Sequence, residues 1–547
     1  MKSKAIILDG YVDEPTCLGV PPYISPYVRY IAGVLVEHGY TPQYLTIDQL
    51  RVDATLFSLL DKAALVMVIA GLTVPGKYLG GTPITLTEIQ QIGSAVRHAT
   101  AILGGPILFG YARKGGQKAV RQGIIGYETF LEGSPAESLD SYLNGGDPTG
   151  ELDYTLTDRW SKQGSEIITQ HPSFPNIMCE LETATGCPRL VSGGCSFCTE
   201  QFHGYPLYRS IEGIAAEVAA LASYGAQHFR LGKQPDILIY GTRGGEFPEP
   251  NPRIIENLFK TIRNAAPTLL TLHVDNVNPG TITHHEDAAR EALRTIVQWH
   301  TPGDVAALGM ETADPAVVRA NNLKAYPHEM MRAIQIINEV GSNRQYGIPD
   351  LLPGLNFVMG LAGETEKTYN LNFQFLRIVL NKGYLIRRVN IRQLMPFEGT
   401  RAYSSNTLGR YQFEFKIFKE KVRKEFDLPM LGRVFPIGTV LRNVIIEIAG
   451  NTSFGRQMGS YPLLVGIPLL IPKKSVVDVI VVDYGMRSIT GIPYPVEVNS
   501  LPIRTLIWLP CVGKKRARTL VALRPIKNIG EFRQIVGITP IDDALVF

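Results

Sequence analysis

The chain has 547 residues, 45% hydrophobic and 19% charged, enough to bury the cores of three or four domains of ordinary size. Its formal net charge of +4 excludes a strongly basic nucleic-acid coat and leaves room only for a local basic patch. Six cysteines are too few for a disulfide scaffold, but three lie between Cys187 and Cys198, and in a reducing compartment such a group indicates a metal site.

The first residues show no signal-peptide pattern. Apolar runs such as Tyr461 to Pro472 are broken by Gly and Pro and too short to span a bilayer, so a cytoplasmic protein without a membrane partner is expected. From the start, strand and helix patterns alternate. Strands are predicted at Ala5 to Asp9, Tyr44 to Ile47, Ala64 to Ala70 and Ala101 to Pro106, and helices at Val28 to Glu37 and Thr87 to His98, the latter capped by Thr87. This is a doubly wound α/β pattern, in which ligands bind beyond the carboxyl ends of the strands. The first domain is placed at 1–140. Residues 141–178, rich in Gly, Asp and Ser, read as a linker.

Strands and helices alternate again over 179–425, with strands at His228 to Leu231, Thr271 to Val274, Ala306 to Met310, Leu355 to Met359 and Arg388 to Ile391. Repeated βα units imply a parallel sheet or partial (β/α) barrel. Over 426–500 the pattern changes to short β-branched strands, including Val440 to Ile448 and Val476 to Asp483, which suggests a small β-barrel. Residues 501–547 read as helical, with a basic helix start at Lys514 to Arg518.

The strongest chemical signal is Gly186-Cys187-Pro-Arg-Leu-Val-Ser-Gly-Gly-Cys195-Ser-Phe-Cys198, a C-x7-C-x2-C spacing. Three thiolates can hold three irons of a [4Fe–4S] cube and leave the fourth open to a chelating substrate. The glycines before Cys195 let the backbone wrap tightly. Zinc is the alternative; it wants four ligands, and Cys179 and His203 are the nearest further candidates.

This segment resembles the cluster loop of the radical S-adenosylmethionine (SAM) superfamily, where the usual spacing is C-x3-C-x2-C with an aromatic residue before the last cysteine. Phe197 stands at that place, and this loop has four extra residues. His228-Phe-Arg-Leu-Gly-Lys-Gln-Pro-Asp236 resembles the strand end that meets the SAM amino group, which implicates Gly232 and Gln234. Leu308-Gly-Met-Glu-Thr-Ala-Asp314 resembles the strand end whose glutamate, here Glu311, meets SAM. Gly360 to Thr365 and Met395 to Thr400 resemble the later glycine-rich turn and the last strand's signature. Taken singly, Glu311 could be a surface charge, and Gly360 to Thr365 a helix entry capped by Thr365.

Residues 1–130 resemble the cobalamin-binding domain that precedes many radical SAM domains. Gly71 and Thr73 follow the third strand, and Gly104 and Gly105 the fourth, where glycine would let a planar macrocycle approach. The axial-histidine motif D-x-H-x-x-G is absent. The rival N-terminal domain of methylthiotransferases needs three cysteines, and here only Cys17 precedes residue 179. A scaffold without ligand is the plain alternative. The barrel region resembles a TRAM module, and Leu509 to Ala517 a helix-hairpin-helix able to hold a phosphate. The whole layout resembles an archaeal radical SAM group with that C-terminal hairpin.

The resemblance implies a radical SAM C-methyltransferase using a [4Fe–4S] cluster, SAM and cobalamin, with a reductant such as ferredoxin or flavodoxin. It further implies a protein substrate, methyl-coenzyme M reductase, methylated at a glutamine Cα. The alternative is a tRNA-modifying enzyme that transfers a methylthio or methyl group.

Overall fold

The computed structural model describes residues 3–12, 18–71, 80–344, 347–405 and 407–547. Strands β1 (Lys4–Asp9), β2 (Tyr23–Ile24), β3 (Thr41–Thr46), β4 (Leu65–Ile69), β5 (Thr100–Gly104) and β6 (Thr129–Phe130) come first. All but β2 form one parallel sheet in the order β3-β1-β4-β5-β6. Both faces of β1 are covered. Ala5 and Ile7 enter one core, and Ile6 and Leu8 another, which is why the strand reads as an unbroken apolar run.

Two expectations in this region are corrected. The helix expected from Thr87 runs Leu86–Ala95 and is capped by Thr85, whose side chain accepts from the Glu88 amide while Glu88 answers the Thr85 amide. That reciprocal pair satisfies two orphan donors, which a Thr87 cap could not do. Residues expected as a linker hold helix Tyr154–Gln163, capped by Asp153. Its Trp160 is fully buried and donates from Nε1 to Glu37 at 3.0 Å. Gly33, on the facing helix Pro26–Glu37, has no room for a Cβ against the Trp160 backbone. The buried stripe is only Tyr154, Thr157, Trp160 and Ser161, too polar to stand out from composition.

The second sheet system begins with β7 (Met178–Glu182), β8 (His228–Gly232) and β9 (Thr271–Val274), in the parallel order β9-β8-β7-β2. The short β2 therefore ties the first domain to the edge of the second. It continues with β10 (Asn276–Val277), β11 (Asp304–Glu311), β12 (Leu351–Met359) and β13 (Arg388–Gln393), also parallel and in sequence order. The two halves meet at Asp275, whose carbonyl accepts the Ala307 amide at 3.1 Å. The result is a partial barrel of parallel strands with helices such as Ile211–Ser223 and Pro327–Gly341 between them.

A closed small barrel follows, with β14 (Val440–Ile448), β15 (Ser453–Arg456), β16 (Leu464–Ile467), β17 (Val476–Tyr484) and β18 (Ser488–Pro493) in the order β14-β15-β16-β18-β17. Its 459–461 loop enters the larger barrel. Tyr461 Oη donates to Asp275 at 2.9 Å and Ser460 Oγ to the Val274 carbonyl at 3.0 Å. Helices Gly513–Ala522 and Ile529–Val536 complete the chain. Among the described residues no helix is long and apolar enough to cross a membrane.

Candidate active site

Beyond β7 the chain makes a closed excursion. Ala184 and Thr185 pair antiparallel with Tyr208 and Leu207, and the cysteine segment lies inside the loop they close. Gly186 adopts φ +89° and the Cys187 amide donates to the Gly204 carbonyl at 3.1 Å. The four residues in excess of the usual spacing are absorbed by a 3-10 turn, Pro188–Ser192. Gly193 and Gly194, at φ +80° and +60°, then bring Cys195 back. The Cys198 amide donates to the Cys195 carbonyl at 3.3 Å. Phe197 packs with Cys195, Val317, Leu323 and Leu361.

Residues from distant parts of the chain brace this loop. Arg189, almost wholly buried, donates from Nη1 to Cys195 Sγ at 3.0 Å and to the Asn322 carbonyl at 2.8 Å, and from Nε to Glu246 at 2.7 Å. Asn322, in the left-handed region at φ +48°, donates to the Ser192 and Gly194 carbonyls, both at 2.9 Å. Asn321 accepts from Ser196 Oγ at 2.7 Å and donates to the Ala362 carbonyl at 2.8 Å, so it joins the cysteine loop to the 360–365 turn. Arg401 donates to Gly194 at 2.6 Å.

Lys324 is the charged centre of the site. Burial works against its charge, but Cys195, Glu311, Cys187 and Cys198 more than offset this and hold its pKa above the usual lysine value. Burial pushes Cys187 up to about 11 and Cys198 up as well. Glu311 ends β11 after a register shift between Gly309 and Glu311, and it sits at φ +58°, a costly conformation for a residue with a side chain. Burial raises its pKa to about 7, against the pull of Lys324 and Arg392. A Cβ on Gly309 would stand 2.5 Å from Glu311 Oε1 and 3.3 Å from Lys324 Nζ, so the glycine keeps a cradle open between the two charges. Gln234 is buried and its Oε1 has no hydrogen-bond partner, while Nε2 donates to the Asn276 carbonyl at 3.3 Å. That orphaned acceptor fits a donor-bearing ligand.

Other expected residues have different surroundings. Gly232 ends β8, and a Cβ there would collide with the Glu180 carboxylate, so internal packing by itself requires the glycine. Cys179 is fully buried beside Arg29 and Glu217 and is not brought into the cysteine loop. His203 ends a 3-10 turn in that loop and is exposed. Among the described residues no three His, Cys, Asp or Glu side chains converge closely enough for a single metal ion. One tetrahedral zinc would draw its sulfurs to within about 4 Å of each other, whereas in an iron–sulfur cube each thiolate goes to its own iron.

In the first domain, Gly104 ends β5 and Gly105 follows it. A Cβ on Gly104 would lie 2.7 Å from Met67 Cε, and one on Gly105 would lie 2.6 Å from the Ala70 carbonyl, so both serve close strand packing. Gly71 is buried, and Thr73 lies outside the described residues. The segment leaving the carboxyl end of β5 is fastened to the one leaving the carboxyl end of β13: Gly116 donates to the Leu394 carbonyl at 2.8 Å and Ala119 to that of Pro396 at 3.0 Å. Arg189, Asn321, Asn322 and Lys324 carried no sequence signal. Three of them follow helix Pro315–Ala320 as ordinary polar residues.

No family model matches the chain. A protein of Archaeoglobus fulgidus, described as uncharacterized, is 41% identical over 547 residues, 100% of this chain and 99% of that one. One of Methanocaldococcus jannaschii, described likewise, is 41% identical over 513 residues, 90% of this chain and 93% of that one. Among solved structures, the radical SAM methyltransferase TsrM of Kitasatospora setae, with tryptophan substrate and a SAM analogue bound, is similar with a TM-score of 0.49 at 14% identity, over 73% of this chain and 75% of that one. The cobalamin-dependent radical SAM enzyme OxsB gives 0.45 at 10% identity, over 76% and 56%. Likenesses of this size fix neither ligand nor reaction for this chain.

Proposed function

We propose that this chain, which belongs to the archaeal family of the Archaeoglobus fulgidus and Methanocaldococcus jannaschii proteins, is a cobalamin-dependent radical SAM methyltransferase. The observation that carries the reading is that Cys187, Cys195 and Cys198, on one loop, and Glu311 all surround Lys324 at the carboxyl mouth of a parallel partial barrel. When bound, the cluster supplies an electron to SAM and cobalamin carries a methyl group. The chain's own residues bind and orient. The three cysteines would hold three irons of the cluster and leave the fourth to a ligand. Arg189 donates to Cys195 Sγ and so tunes the electron-donating power of the sulfur set. Lys324 balances the thiolate charge. Glu311 and Gln234 offer carboxylate and amide oxygens to the ammonium and hydroxyl groups of SAM, and Gly309 keeps the cradle between Glu311 and Lys324 clear. The fastening of the first domain's carboxyl edge to that of the barrel favours cobalamin in the first domain, close to the cluster mouth.

The favoured substrate is a protein, with a glutamine Cα of methyl-coenzyme M reductase as the specific choice and tRNA as the second reading. The modest net charge of +4 favours peptide over polyanion. The test supplies reconstituted enzyme, reductant, SAM and cobalamin with either a peptide spanning that glutamine or bulk archaeal tRNA. Methyl transfer to the peptide is expected. Methyl transfer to tRNA alone would replace this substrate while leaving the cofactor assignment standing.

A further inference from the structure

A cavity lies away from the cysteine mouth, at the amino end of β13, where the partial barrel meets the small one. It has a volume of about 430 Å³ and is walled by Arg387, Arg388, Arg456 and Arg487 over a floor that includes Met430 and Val434, both buried. Arg388 is about 13 Å along the strand from Arg392, the residue that acts on Glu311, at the usual rise per residue. The cavity is therefore separate from the site above.

Its charges do not balance. Asp427, the carboxylate in the wall, is ion-paired to Arg423 and acts on Arg487 only at longer range. Arg456 is paired to Glu447 at 2.9 Å. Asp275, which acts on Arg388 at longer range, is ion-paired to Arg230 and accepts from Tyr461 Oη. That leaves Arg387, Arg388 and Arg487, none of which makes an ion pair among the described residues. Arg387 gives Nη2 to the Tyr461 carbonyl at 3.4 Å, and its Nε is buried without a partner. Arg388 lies 3.7 Å over the Tyr461 ring, and no hydrogen bond of its guanidinium occurs among the described residues. Arg487 is exposed at the mouth. Burial first, with neighbouring arginines adding to it, pulls Arg387 and Arg388 down to about 10.

Like charges that outnumber their counter-ions in a half-buried wall are costly, and an arginine fork with free donors matches the oxygens of a phosphate. Three unmatched positive charges suit a group of two or more negative charges better than a single carboxylate. We propose that this cavity is a phosphate-binding site that takes the phosphorylated end of a small ligand, whose apolar remainder rests on Met430 and Val434. The proposal is independent of the methyltransfer reading.

The test is calorimetric titration of the full chain as purified, in dilute chloride buffer, with inorganic pyrophosphate, inorganic phosphate and citrate. One pyrophosphate per chain is expected, with citrate weaker. Arg487→Gln, at an exposed position, and Arg388→Met should each weaken it about 10- to 100-fold, the worth of one charged hydrogen bond. Lys515→Ala, on the distant hairpin, should leave it unchanged. The proposal fails if pyrophosphate does not bind, if Arg487→Gln binds it as the parent does, if Lys515→Ala removes it, or if citrate binds as tightly. It also fails if a short single-stranded RNA displaces pyrophosphate at lower phosphate concentration, since the occupant would then be a nucleic-acid backbone.

Discussion

At the scale of single residues, two side chains set measurable properties. Arg189 is the donor to Cys195 Sγ. Donors and positive charge near a cluster sulfur favour the reduced form. Arg189→Met is expected to keep the cluster but move its midpoint potential to more negative values, as followed by redox titration. An unchanged potential would remove Arg189 from the tuning role. Asp9, at the carboxyl end of β1, is fully buried, and burial lifts its pKa from 3.8 to about 6 against the hydrogen bonds from Tyr44 and Tyr11. The folded chain therefore holds a proton that the unfolded chain has released. Stability is full below about pH 4 and falls as pH rises through 6, by up to about 3 kcal/mol. Asp9→Asn mimics the protonated acid. Its melting temperature should match the parent near pH 4 and exceed it at pH 8; a pH-independent difference would contradict the assignment.

At the scale of elements, Trp160 pins helix Tyr154–Gln163 to helix Pro26–Glu37. Trp160→Ala removes a fully buried indole and should cost about 3–5 kcal/mol, read as an earlier urea midpoint; a loss below about 1 kcal/mol would mean the segment is only loosely docked. What was legible in the sequence follows the same physics. The middle of β1 and all of β4 are apolar without interruption because both faces are covered, so the run announces them. Helix Tyr154–Gln163 was hidden, because one tryptophan and an Asp153 cap hold it where its neighbours are polar. The cysteines were legible because three ligands on one loop have a spacing. Lys324 was not: it reaches the site from a turn more than a hundred residues later, and only the fold places it beside the thiols. Gly104 and Gly232 were visible as glycines, but their reasons, Met67 and Glu180, lie on neighbouring strands.

At the scale of the molecule, the first domain and the partial barrel share an edge through β2 and are fastened at their carboxyl ends through Gly116 and Ala119. The small barrel sends Ser460 and Tyr461 into the larger one. The three parts thus meet around one barrel, with the cysteines at its carboxyl mouth and the arginine cavity at the amino end of β13. The central claim is that the cysteine loop holds a [4Fe–4S] cluster that cleaves SAM. The most direct measurement is anaerobic reconstitution with iron and sulfide, followed by iron and labile-sulfide analysis and by SAM cleavage under a strong reductant. The parent chain is expected to hold about four irons and to cleave SAM, and Cys187→Ala, Cys195→Ala and Cys198→Ala to lose cleavage while Cys179→Ala and Cys511→Ala keep it. A triple variant of the first three that still held four irons and cleaved SAM would contradict the account.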